Sequence, residues 1–175
     1  MRPTLLEHPS INTDIEYPHP LCRRSRNSWY FLIIRVFLEF ILLLFQPILP
    51  ITGVHFLDQA DITAPKTHQN ILRLLNGRTV DVVLSDMAPN PTGDGGLDHE
   101  RIVSLCSTLL ELSVQKSVIP LVRNGTFLCK IFDGPRRNEL IAQLQQHFAK
   151  VYTVKPKASR DHSAEVYLLA LRKRD

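Results

Sequence analysis

Three polar residues stand at the edges of short apolar runs, where α/β proteins commonly place their functional groups. Asp86 and Lys130 each close a run, and Glu165 opens one. The runs are Asp81–Asp86, Thr126–Lys130 and Glu165–Ala170. Functional groups gather at the carboxyl ends of parallel strands, and an antiparallel last strand brings its first residue to the same edge. Two carboxylates and one amine can therefore meet in one cleft, which is the composition of a site for acid–base chemistry.

Each of the three residues also has an ordinary structural interpretation when it is taken alone. Asp86 can cap the turn that Pro89 introduces. Lys130 can extend its ammonium group to solvent from a sheet rim, and Glu165 can be a solvated strand end. The order and spacing of the three together favour a reaction centre.

The elements that must position these residues begin near residue 51. Apolar runs bounded by turn residues predict strands over 54–57, 81–85, 126–131, 150–154 and 165–171. Helical spacing predicts helices over 66–76, 98–118 and 136–148, with Asp98 as the N-cap of the second helix. Asn124-Gly125 is interpreted as the turn into the third strand. The alternation predicts an α/β fold with a mostly parallel sheet, and the short link between the last two strands predicts an antiparallel pair.

Composition fits one domain with a short extra segment, and the charge is unevenly distributed. Residues 66–175 contain sixteen Lys and Arg against eleven Asp and Glu, which suits a polyanionic partner such as RNA. Cys22, Cys106 and Cys129 lack metal-ligand spacing and are interpreted as reduced thiols of an intracellular protein, the last two of them buried. His99 and His162 are interpreted as solvent-exposed or capping residues, and no metal site is expected.

The first 45 residues differ in character from the rest of the chain. Residues 1–27 are predicted to be coil, and the run 29–45 is predicted to be an apolar helix ended by Pro47. Three interpretations of this run stay open: a buried amphipathic helix, a membrane helix in which Arg35 and Glu39 pair, or a segment that does not fold well. The acidic residues of 1–16 are not typical of a mitochondrial presequence. The predicted division is therefore a divergent segment 1–45 and a main domain 46–175.

The main domain resembles the FtsJ-type ribosomal RNA 2′-O-ribose methyltransferases. It is most similar to their mitochondrial large-subunit rRNA (uridine-2′-O) branch. The matching segments are Gly53–Asp61, Asp81–Asn90, Leu97–Glu100, Gly125–Lys130, Lys155–Arg160 and Ser163–Tyr167. The resemblance implies a Rossmann-like sheet with an antiparallel last strand and methyl transfer from S-adenosyl-L-methionine to a ribose 2′-hydroxyl. It also implies ribosomal RNA of the large subunit as the partner and a mitochondrial location.

The resemblance assigns roles to individual residues. Asp86, Lys130 and Glu165 match three members of a Lys-Asp-Lys-Glu catalytic set. The implied cofactor-binding residues are Asp61 at the adenine, Asp86 facing the methyl donor, and Met87 and Pro89 beside it. The implied RNA-binding residues are Lys155, Lys157, Arg160, Arg136 and Arg137.

The family pattern fails at the N-terminal side of the main domain. The chain has no lysine before Lys66 to match the first catalytic lysine, and no glycine before Gly53 to form the glycine-rich cofactor turn. The first βαβ unit is therefore expected to be missing or replaced, which would leave an apolar sheet edge exposed. Two explanations are open: a methyltransferase joined to a foreign segment by a gene-model or splicing error, or a genuine variant without catalysis. The alternative functions are a catalytically inactive RNA- or ribosome-binding remnant and, less favoured, a protein anchored to a membrane through 29–45.

Overall fold

The computed structural model describes residues 31–36, 39–44, 51–115, 117–155 and 164–175. They form seven strands and three helices. The strands are β1 (Phe31–Val36), β2 (Glu39–Leu44), β3 (Val54–Asp58), β4 (Val80–Ser85), β5 (Leu121–Phe132), β6 (Phe148–Val154) and β7 (Glu165–Lys173). The helices are α1 (Pro65–Leu75), α2 (Gly95–Val114) and α3 (Arg137–His147). The strands and helices predicted beyond residue 51 are thus confirmed, with shifted ends.

One mixed sheet organises the described residues, in the order β3-β2-β1-β4-β5-β7-β6. β4 and β5 are parallel, whereas β7 runs antiparallel to both β5 and β6. The predicted α/β class and the antiparallel last strand are confirmed. This arrangement puts the ends of β4 and β5 and the start of β7 at one edge of the sheet.

The apolar helix predicted over 29–45 is wrong for the residues that the structure describes there. Residues 31–36 and 39–44 are strands of an antiparallel hairpin. Two physical reasons explain the error. The run is rich in β-branched and aromatic residues, which favour strands, and the sheet has a place for two strands between β3 and β4. Leu32, Ile34 and Val36 alternate as buried residues, which is the period of a strand.

The hairpin fills the position where an exposed apolar edge was expected. β2 is parallel to β3, but β1 is antiparallel to both of its neighbours, β2 and β4. β1 therefore brings its first residue, and not its last, to the end of the sheet where β4 and β5 finish. No helix among the described residues is long and apolar enough to cross a membrane.

Two local predictions need correction. The N-cap of α2 is Asp94, whose side chain accepts hydrogen bonds from the amides of Gly96 and Leu97. Asp98 is buried one turn later, where its carboxylate accepts two bonds from Thr92. These bonds lower the pKa of Asp98. Asn124-Gly125 is not a turn before β5, because β5 already begins at Leu121 and continues through both residues.

Candidate active site

Lys130 and the two carboxylates do meet at the predicted edge of the sheet. The Nζ atom of Lys130 lies 3.1 Å from Oδ1 of Asp86 and 3.9 Å from Oε1 of Glu165. Strand register explains the contact, because Ser85 of β4 pairs with Cys129 of β5, which leaves Asp86 beside Lys130. The three residues come from three different elements, so this edge of the sheet is what positions them.

Because Lys130 is buried, its ammonium group needs carboxylate partners nearby. The residue is only 4% exposed, and lysine is almost never fully buried without an opposite charge nearby. Asp86 is the more buried of its carboxylate partners, with 19% of its side chain exposed against 42% for Glu165. Glu165 is therefore the member of the cluster most open to a substrate.

Tyr167 is a further member of the cluster that sequence reasoning did not single out. Its hydroxyl donates a hydrogen bond of 2.7 Å to Oδ1 of Asp86. Burial, this hydrogen bond and the nearby carboxylates raise the pKa of Tyr167 above its usual value. The signal was present in the sequence, because Tyr167 lies two residues after Glu165 and so on the same face of β7. Its position directly opposite Lys130 follows only from the strand register.

A cleft of about 740 Å³ opens between the ends of β3 and β4 and the helix α2. Three of the residues predicted to bind a cofactor, Asp61, Met87 and Pro89, line it. The fourth, Asp86, does not line the cleft, but it directly precedes Met87, which does. The other lining residues are Leu43, Ala60, Ile62, Thr63, Ala88, Asn90, Glu100, Arg101, Ser104, Leu105, Thr108 and Arg136.

The lining of the cleft suits an adenosine group. Its size lies within the range of about 300–1,000 Å³ that is usual for small-molecule sites. Ile62, Met87 and Pro89 offer apolar surface to a purine ring, and Asp61 offers a carboxylate acceptor to an exocyclic amine. Asp61 is held in place by two hydrogen bonds from Thr63, at 2.8 Å from its amide and 2.7 Å from its hydroxyl. Among the described residues, no group of three or more His, Cys, Asp or Glu side chains could hold a metal ion.

The residues predicted to bind RNA are not all in the described part of the chain. Arg136 pairs with Glu100 and Glu139, each at 2.6 Å, and both Arg136 and Glu100 line the cleft. Arg137 pairs with Asp133 at 2.9 Å. Lys155 is exposed at the end of β6. Lys157 and Arg160 lie outside the described residues, as do Cys22, His162 and the predicted coil 1–27, so the RNA contacts stay a prediction.

His99 is buried, so its interpretation as a solvent-exposed residue is wrong, whereas the capping alternative agrees with the bond that its ring accepts at the start of α3. Its Nε2 atom accepts a hydrogen bond of 3.0 Å from the amide of Arg136, so its Nδ1–H donates to the carbonyl of Phe132 at 2.9 Å. The ring thus links the end of β5 to the start of α3. Gly134 lies against the ring so closely that a Cβ atom there would come within 2.6 Å of Nδ1. Cys106 and Cys129 are both buried thiols, as predicted.

Comparison with known proteins finds one family over most of the chain. Residues 43–173 match the family model described as FtsJ-like methyltransferase. The chain is 50% identical over 123 residues to a protein of Caenorhabditis elegans named "rRNA methyltransferase 2, mitochondrial". It is 43% identical over 124 residues to "Ribosomal RNA large subunit methyltransferase E" of Hydrogenovibrio crunogenus. The matches cover 70% and 71% of this chain but 58% of each relative, so the chain spans just over half the length of these proteins.

A solved structure supports the fold independently. A ribosomal RNA methyltransferase, putative, from Plasmodium falciparum superposes with a TM-score of 0.62 at 23% sequence identity. The superposition covers 74% of this chain and 69% of that one. At this sequence identity, the structural similarity supports the fold and no statement about function.

Proposed function

The chain belongs to the FtsJ-like methyltransferase family, and from this premise we propose that it transfers a methyl group from S-adenosyl-L-methionine to a ribose 2′-hydroxyl of ribosomal RNA. The observation that carries the proposal is the position of Lys130, which is buried between Asp86 and Glu165. Asp86 directly precedes Met87, which lines a cleft that suits adenosine. When it is bound, S-adenosyl-L-methionine supplies a methyl group on a sulfonium, which is a good leaving group. The remaining work is to align and activate the hydroxyl.

The residues of this chain divide that work between them. Lys130 donates a hydrogen bond to the ribose oxygen and stabilises the negative charge that grows on it. Asp86 fixes the ammonium group, and Tyr167 fixes Asp86. Glu165, the more exposed carboxylate, is placed to take up the hydroxyl proton. Asp61 holds the adenine end of the cofactor in the cleft.

The test is a methyl-transfer assay with labelled S-adenosyl-L-methionine and large-subunit ribosomal RNA. Lys130→Ala should lower kcat by about 10²–10⁴-fold, the usual size of an acid–base contribution, and should leave cofactor binding in place. Lys66→Ala, which removes an exposed lysine of α1, is the matched control and should leave kcat unchanged. Equal activity of the Lys130→Ala variant and the wild type would contradict the proposed role of this residue.

A second candidate function is a non-catalytic RNA-binding protein of the same family. The specific observation in its favour is the reversed direction of β1, together with the absence of glycine before Gly53 and of lysine before Lys66. A glycine-rich turn after a parallel central strand would otherwise approach the methionine end of the cofactor. This candidate predicts RNA binding without cofactor binding, so parallel titrations of the full chain with both ligands separate the two functions.

We also propose that the substrate is large-subunit ribosomal RNA in mitochondria. Support comes from the printed names of the relatives, one of them mitochondrial, and from the basic excess of residues 66–175. Lys155, Lys157, Arg160, Arg136 and Arg137 are the proposed RNA contacts. Imaging of the tagged full chain tests the location, and exclusion of the fluorescence from mitochondria would contradict it.

A further inference from the structure

The outermost strand of the sheet, β6, presents two apolar side chains to solvent. Tyr152 is 47% exposed and Val154 is 38% exposed. Val151, which lies between them and Lys150 in the chain, packs against the core opposite the fully buried Ala170 of β7. Because side chains alternate along a strand, Tyr152 and Val154 lie on the other face of the sheet.

That face also carries the active-site cluster. Val154 is paired with Tyr167, and Tyr167 is paired with Lys130, so the three residues form one row across β6, β7 and β5. Tyr152 stands in the next row, where it is paired with Leu169 of β7. With strands about 4.8 Å apart and a rise of about 3.4 Å per residue, the Cα atoms of Tyr152 and Lys130 are roughly 12 Å apart. The exposed ring therefore lies close to the site and on the side from which a ribose must reach it.

The surroundings of Tyr152 suit an anionic ligand with apolar rings. Lys150 is exposed two residues earlier, on the same face of β6. Lys155, which is also exposed, directly follows the strand, and the segment 148–155 contains no acidic residue. Neither lysine belongs to the active-site cluster. Leu169, opposite Tyr152, is only half-buried and extends the apolar surface.

An exposed aromatic ring beside a cation is the arrangement with which proteins bind single-stranded RNA. A base stacks on the ring, and the cation contacts a phosphate of the backbone. At about 3.4 Å per stacked nucleotide, a strand covers the distance from Tyr152 to Lys130 in about three or four nucleotides. One RNA strand can therefore occupy both positions at once.

We propose that Tyr152 stacks on a base of the RNA substrate a few nucleotides from the methylated ribose, and that Lys150 contacts a phosphate beside that base. This inference rests on the proposed function, because it places the target ribose at Lys130. It adds an aromatic contact to the RNA-binding residues, which are otherwise all basic.

Fluorescence anisotropy of the full chain with a labelled oligoadenylate of about ten nucleotides tests the stacking contact. Tyr152→Ala should raise the dissociation constant about 5–150-fold, the range expected when a stacking aromatic residue is replaced by alanine. Tyr152→Phe should bind as the wild type does, because stacking needs the ring and not the hydroxyl. Leu72→Ala is the matched control, because Leu72 is 46% exposed but lies on α1 and not on the sheet.

The salt dependence of binding separates the two contacts. Lys150→Ala should weaken binding and reduce the slope of log K against log salt concentration by about 0.7, the value for one phosphate contact on a single strand. Tyr152→Ala should leave this slope unchanged, since stacking releases no counterions. Lys66→Ala removes an exposed lysine of α1 and should change neither the affinity nor the slope.

The binding measurements contain no cofactor, so they distinguish this inference from the proposed function. Equal affinity of Tyr152→Ala and the wild type, an equal loss in Tyr152→Phe, or no binding by the wild type would overturn the stacking contact, whether or not the chain transfers methyl groups. Loss of RNA binding in Tyr152→Ala, in a chain that transfers no methyl group, would contradict the proposed function and support the stacking contact. In a chain that does transfer methyl groups, Tyr152→Ala should raise the KM for RNA and leave kcat unchanged.

Discussion

At the scale of single residues, the chain is dominated by one buried ammonium group. Lys130 is nearly inaccessible, and its charge is balanced by Asp86 at 3.1 Å and Glu165 at 3.9 Å. Removing one partner of a buried ion pair usually lowers the free energy of unfolding by more than the intact pair adds to it, since the other charge is left uncompensated. Substitutions in this cluster should therefore affect folding and function together, and a stability measurement must accompany each kinetic one.

Tyr167→Phe tests how the cluster is held. The variant loses the hydrogen bond to Asp86, and because Tyr167 is only partly buried we expect a cost of about 1 kcal/mol at neutral pH. The folded state raises the pKa of Tyr167 above the usual 10.0. The unfolded chain therefore ionises first as the pH rises, and the wild type loses stability above pH 10 by this route.

The measurement is urea unfolding of both proteins at pH 9 and pH 11. The wild type should be the more stable protein at pH 9, and its advantage should shrink at pH 11, because the phenylalanine variant has no hydroxyl to ionise. An advantage of the same size at both pH values would show that Tyr167 does not bind Asp86 in the folded state.

At the scale of elements, the hairpin of β1 and β2 is what sequence reasoning missed. Residues 29–45 have the length and hydrophobicity of a helix, and a short apolar run does not distinguish a buried helix from two strands. These residues form strands because they pair between β3 and β4, and this pairing depends on the whole sheet and not on the local sequence. The strands and helices beyond residue 51 were predictable because each one carries its own period and its own turn residues.

The direction of β1 can be tested by cross-linking. Ile33 and Leu84 are partners across the β1–β4 pair, so their side chains lie on the same face of the sheet. Partners on neighbouring strands lie about 4.5–5.5 Å apart between Cα atoms, which allows a disulfide. Ile33→Cys with Leu84→Cys should therefore oxidise to a cross-linked chain, which mass spectrometry of peptides would identify.

The matched control moves one cysteine by two residues along β1. Arg35→Cys with Leu84→Cys places the thiols on the same face but two residues out of register, and it should cross-link poorly. Efficient cross-linking of the control and not of the first pair would contradict the register of β1.

The junction between β5 and α3 depends on His99 and Gly134. Gly134→Ala would place a Cβ atom 2.6–2.7 Å from the ring of His99, and such overpacking typically costs about 1–3 kcal/mol. Adding His99→Ala removes the ring, so the double variant should be more stable than the sum of the two single effects predicts. Urea unfolding of the four proteins measures this difference.

Gly95→Ala is the control for this cycle, because nothing lies within 4 Å of a Cβ atom there. It should leave the free energy of unfolding unchanged or raise it slightly, since alanine is a better helix former. Strict additivity of Gly134→Ala and His99→Ala would contradict the packing of Gly134 against the ring.

At the scale of the whole molecule, the sequence indicates which residues form the site, and the fold decides which side chains contact one another. Asp86, Lys130 and Glu165 could be predicted because each stands at the edge of an apolar run. The contacts of Tyr167 and His99 could not, since they depend on which strands and helices are neighbours.

The most direct test of the whole account is titration calorimetry of the purified full chain with S-adenosyl-L-methionine. We predict saturable binding of one molecule per chain, weakened by Asp61→Ala, because the cleft lined by Asp61, Met87 and Pro89 suits the adenosine group. Gln69→Ala, which alters an exposed position of α1, is the control and should bind as the wild type does. Absence of binding in a sample that circular dichroism shows to be folded would contradict the methyltransferase function and favour the RNA-binding alternative.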